Sequence, residues 1–133
     1  MNRRIDKFIP KAIEAVKEYI VNDDAINAKY KGAIPSEYNG YIASFCASIS
    51  RQFNLKAAAA KMSAELSGSE QNKKPLMNAI LKVAAGREPN SGETLIKYVL
   101  ANNQNESEIR DKIMDASIAI KLAIRTFELK KEA

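Results

Sequence analysis

The chain has no histidine and no tryptophan, and its only cysteine is Cys46. Without an imidazole there is no Ser-His-Asp or Cys-His nucleophile pair, no histidine-liganded zinc and no histidine proton shuttle. A lone thiol excludes an internal disulfide and a multi-thiolate metal site, which fits a reducing compartment. The five glycines are scattered singly, so no glycine-rich loop is available to cradle a phosphate. No apolar run approaches the roughly 18 residues of a membrane span, and the opening MNRRIDKF turns charged at once. Neither a membrane segment nor a leader is expected, and the chain reads as soluble and cytoplasmic, with no metal or cofactor.

What remains is 133 residues, 46% apolar and 28% charged, enough for one domain with a real core. Alternating β-branched stretches are missing, and apolar spacing near 3.6 recurs throughout, so the expected fold is an all-α, compact, single-domain bundle of five to six helices. Ile5, Phe8, Ile9, Ala12, Ile13, Val16 and Ile20 hold one register over roughly residues 3–22, which predicts one helix kinked at Pro10. A polar connection follows. Pro35-Ser36-Glu37 starts a second helix that buries Tyr38, Tyr41, Ile42, Phe45 and Ile49. After a turn at Asn54, a third helix over roughly 55–66 turns Leu55, Ala58, Ala59, Met62 and Leu66 inward. Pro75 opens a fourth helix and Gly86 ends it, with Leu76, Met77, Ile80, Leu81 and Ala84 buried. Leu95, Ile96, Val99 and Leu100 mark a short fifth helix.

The last predicted helix, roughly 106–130, is apolar on two faces. With Ile120 at zero on a 100° wheel, Ile109, Ile113, Ala116, Ile124 and Phe127 fall within about 40°. Ile118, Leu122 and Leu129 lie opposite, flanked by Met114 and Arg125. Such a helix is either central in its bundle or half of an interface with another molecule, and Ile118, Leu122 and Leu129 are the candidate interface residues.

No catalytic constellation stands out. Glu108, Asp111 and Asp115 form the largest acidic group, but Arg110 and Lys112 interleave with them, and acids early in a helix answer its dipole. Asp23-Asp24 reads as solvated loop, and Cys46, among Ala43, Ser44, Ala47 and Ser48, reads as a small buried residue. The charge is more informative. Of the net +5, residues 1–37 and 65–133 carry only +1 each, and the other +3 is Arg51, Lys56 and Lys61, in a window from 38 to 64 that holds no acid. Arg51 lines up with Ser44, Ala47 and Ser48, a stripe that admits either a phosphate backbone or another helix. Lys121 and Arg125, one turn apart on the last helix, are the second cationic candidate, with Glu128 near enough to pair with them.

Two blocks carry a likeness. IPSEYNGYIASFCASISRQFNLKAAAA (34–60) and DASIAIKLAIRTFELKK (115–131) resemble the small α-helical subunit of the type III-B CRISPR effector, the Cmr complex. Asn54 and Ala59-Ala60 depart from the glycine and the aromatic residue that family often has there. The resemblance implies a non-catalytic subunit. Copies of it would stack beside the backbone and large subunits, along the channel where guide RNA pairs with target RNA, in antiviral defence. Sequence reading would then belong to base pairing, and the protein would need only spaced cations and docking surfaces. A helical protein-protein adaptor with no nucleic-acid role is the alternative. If Arg51, Lys56 and Lys61 neutralise phosphates, reversing their charges lowers the RNA affinity of the assembled complex. The slope of log affinity against log salt then flattens by roughly 0.7–0.9 for each phosphate no longer neutralised, and an unchanged slope in a salt titration removes them from the interface.

Overall fold

A computed structural model describes residues 3–51, 74–90, 95–101 and 106–130. In chain order these form α1 (Arg3–Asp6), α2 (Ile9–Val16) running into a π-helical turn (Lys17–Val21), α3 (Asp24–Tyr30), β1 (Ile34–Pro35), α4 (Glu37–Arg51), α5 (Lys74–Ala85), α6 (Leu95–Ala101), α7 (Glu106–Ile124) and β2 (Leu129–Lys130). The fold is all-α, with one two-residue parallel pairing of β1 and β2. The predicted third helix, 55–66, and the turn at 102–105 lie outside the described residues.

The N-terminal segment is not one kinked helix. Pro10 has no N–H to give Asp6, and its ring crowds the Asp6 carbonyl four residues back, so α1 ends at Asp6. Phe8 N–H closes that end on the Ile5 carbonyl at 2.9 Å, and α2 restarts with Pro10 in its first turn, where a missing donor costs nothing. Ala12, Ala15 and Val16 are buried along α2. A regular continuation would put Tyr19 at the centre of that stripe, about 20° from Ala12, and Ile20 at its margin. The π turn, closed by Asn22 N–H on the Lys17 carbonyl at 2.9 Å, takes in one extra residue. Ile20 then enters the core at 0% exposure, and Tyr19 is left half-buried with its hydroxyl outward.

The acidic pair at 23–24 is likewise structural and not a solvated loop. Asp23 caps α3, its Oδ1 accepting from Ile26 N–H at 3.0 Å, and Asp24 lies in the first turn, where the helix dipole favours an acid. The polar connection predicted between the first two helices is therefore itself a helix. It ends on Lys31 in the left-handed region, φ 49°, and the chain then extends into β1. Ile34 N–H donates to the Glu128 carbonyl and Ser36 N–H to the Lys130 carbonyl, each at 2.8 Å, placing Ile34 beside Leu129 and Pro35 beside Lys130.

α7 runs through the middle of the bundle, against α1, α2, α4 and α5. Ile113, Ala116, Ala119, Ile120, Ala123 and Ile124 are all fully buried, and so are Ser117 and, at 3% exposure, Asp115, which lies towards the opposite face. Its centre is thus enclosed on almost every side, which answers the two-faced apolar pattern: the helix is central. Tyr38, Ile42 and Phe45 of α4 and Leu76, Ile80 and Leu81 of α5 complete one continuous core. Gly86, at φ +74°, ends α5. Ile120→Ala should lower stability by about 2–5 kcal/mol through the cavity it leaves, and Asp23→Ala by about 1 kcal/mol through loss of the cap, both read by urea unfolding.

Candidate nucleic-acid interface

α7 is held along its length, so side chains at its C-terminal end project from a fixed scaffold. The last turn carries Lys121, half-buried, and the turn beyond it Arg125, exposed. Cations here complement the negative end of the helix dipole. Lys121 faces α4. There burial pushes the Cys46 thiol up from its ordinary pKa, and the Lys121 charge partly draws it back down. Glu128 does not pair with either cation, as helical spacing suggests it would. α7 stops at Ile124, and the Glu128 carboxylate reaches Lys130 Nζ instead, at 3.9 Å. Among the described residues no carboxylate forms an ion pair with Lys121 or Arg125.

The other candidates are distributed differently. Arg51 closes α4, but its side chain lies outside the described residues, as do Lys56 and Lys61 entirely. β1 leads into α4 and β2 follows α7, so the end of α7 is tied to the start of α4, while Arg51 stands about 21 Å further along the α4 axis. Of the proposed interface residues, Ile118 and Leu122 are half-buried on α7. Leu129 does not share their face. It sits in β2, 36% exposed, because the chain has left the helix before reaching it.

The acidic cluster on α7 dissolves on inspection of burial. Glu108 and Asp111 are exposed and Asp115 is inside, Lys112 reaches Glu108 at 3.8 Å, and no group of three potential metal ligands occurs among the described residues. One polar cluster was invisible in the sequence. The Tyr19 hydroxyl and Lys82 Nζ both donate to the Glu88 carboxylate, joining the π turn to the loop after α5. Its members are 69 residues apart at the widest, with no motif to announce them. The Lys82 ammonium holds the Glu88 carboxyl below its usual range and rises in turn, and burial with the adjacent carboxylates raises the Tyr19 hydroxyl. With both charges partnered at the surface, this cluster is a local tether more than a recognition site.

No protein-family model, curated protein or solved structure matches this chain. Proximity of Lys121 to Cys46 is directly measurable. The thiol should react with iodoacetamide at pH 8 more slowly in the folded chain than in urea, because burial disfavours the thiolate. Lys121→Gln should slow the folded reaction further, within about one order of magnitude, and an unchanged rate would separate the two side chains.

Proposed function

We propose that this chain is a non-catalytic small subunit of a type III-B, Cmr-like RNA-guided effector, and that the C-terminal end of α7 lies against RNA backbone in the assembled particle. The observation that carries this reading is the pair Lys121 and Arg125, without a carboxylate partner among the described residues, the first on the last turn of the helix that organises the core and the second just beyond it. Two such charges give weak, sequence-independent attraction, which suits a subunit whose target is chosen by base pairing. Partners in this reading are the backbone and large effector subunits, further copies of the chain, guide RNA and target RNA. The blocks 34–60 and 115–131 supply the family component of the proposal, and the acid-free window 38–64 supplies further cations.

The half-buried Ile118 and Leu122 and the exposed Leu129 favour a second reading, a helical adaptor that binds only protein. Affinity purification of the full chain from its own cells discriminates the two. Recovery of large effector proteins together with a guide RNA of defined length supports the effector subunit, and protein complexes free of RNA support the adaptor. In the effector case, Lys121→Glu/Arg125→Glu should leave the protein partners in place and reduce retention of target RNA. The slope of log affinity against log salt should fall by about 0.7 for each phosphate that the pair no longer neutralises.

A further inference from the structure

Glu128 stands three residues beyond Arg125, where a continued helix would use it to neutralise the site. On such a helix it would lie one turn beyond Arg125 and about 60° from it around the axis, close enough to pair with it, while Lys121 would stand about 10.5 Å further back along the same side. Glu128, Leu129 and Lys130 are all good helix formers, so local preference points that way. The chain nevertheless turns. Thr126 gives both its N–H, at 3.0 Å, and its hydroxyl, at 2.7 Å, to the Ala123 carbonyl, and Phe127 N–H goes to the Ile124 carbonyl at 3.1 Å. The segment then leaves α7 and is caught by the N–H groups of Ile34, in β1, and of Ser36, just after it, and Ile34 is anchored at 0% exposure. This route delivers Glu128 to Lys130.

We propose that the β1–β2 pairing is a charge-positioning clasp: by drawing the chain out of the helix after Ile124 and carrying Glu128 to Lys130, it keeps Lys121 and Arg125 open to a polyanion. The inference rests on the RNA reading given above for the identity of that polyanion. Arg125 and Lys121 are the contacting groups, and Ser36, Ile34 and Thr126 act through the backbone to position them. Opening the clasp lets α7 lengthen and brings Glu128 back beside Arg125.

The test compares four full-length proteins: the natural chain, Glu128→Gln, an opened clasp (Thr126→Ala/Ser36→Pro), and the opened clasp carrying Glu128→Gln. Proline is tolerated at 36 because it precedes α4 and needs only to lose the inter-strand donor. Opening is read by loss of hydrogen-exchange protection at the Ile34 amide and by a gain in helical circular dichroism. Binding is read by anisotropy with a labelled oligouridylate. The natural chain and Glu128→Gln should bind within about twofold of each other, and the opened clasp about three- to tenfold more weakly, the scale of one phosphate interaction at low salt. Adding Glu128→Gln to the opened clasp should restore binding to within about twofold of the natural chain. An Ile34 amide that stays protected in the opened variant overturns the proposal, because the bonds removed are then not what holds the tail. Equal strengthening by Glu128→Gln in both backgrounds, or no weakening on opening, overturns it as well. If none of the four binds oligouridylate, the RNA reading fails separately. The clasp is then judged by hydrogen exchange and circular dichroism: opening should release the Ile34 amide and raise the helical signal, and a helical signal indifferent to opening overturns the clasp.

Discussion

Burial of α7 on nearly all sides is the constraint from which the other features follow. Ile113, Ala116, Ile120 and Ile124 form one buried line and Ala119 and Ala123 another, and the alanines let α2, α4 and α5 come close where larger side chains would hold them apart. Each buried isoleucine stabilises the fold by about 1.5–3 kcal/mol. A helix held in this way cannot shift along its axis without disturbing every neighbour. The positions of Lys121 and Arg125 are therefore set by the core, although the charges themselves stand at its edge.

The N-terminal elements adapt to that central helix. Pro10 divides α1 from α2, and the π turn gives up regular hydrogen bonding for a change of phase that puts Ile20 in the core and Tyr19 on the surface. The displaced tyrosine gains Glu88, already paired with Lys82, as its acceptor. At the other end, β1 and β2 join the segment before α4 to the segment after α7 with two bonds of 2.8 Å. Short as it is, this pairing closes the chain's two halves on each other and determines which partner Glu128 takes.

Much of this was legible in the residue pattern because helical periodicity records burial. Leu76, Met77, Ile80, Leu81 and Ala84 are inside as their spacing requires, Gly86 ends its helix, and the Ile109 to Ile124 stripe is core. The failures have common physical causes. Periodicity cannot report a hydrogen bond missing at a particular residue, so Pro10 read as a kink inside a continuous apolar stripe. A seven-residue helix with one cap, α3, carries too little pattern to stand out from a polar connection. α7 ends at Ile124, nearly two turns before the periodicity places its end with Leu129 on a helical face, because Glu128, Leu129 and Lys130 favour helix locally, and the bonds that override them come from residues 34 and 36, more than ninety positions away. Of the site, Lys121 and Arg125 could be picked out by their helical spacing, although Arg125 falls just beyond the end of α7. That Glu128 leaves them for Lys130 depends on tertiary pairing and has no local signature.

The claim that α7 presents cations to RNA in an assembled particle is tested most directly by ultraviolet cross-linking of the native complex, followed by mass spectrometry of the nucleotide-bearing peptides. Adducts are expected on peptides spanning the last turn of α7 through Arg125, and on those from the 38–64 window. Adducts confined to the surface of α2 and the π turn, or a complex that yields none, would contradict it.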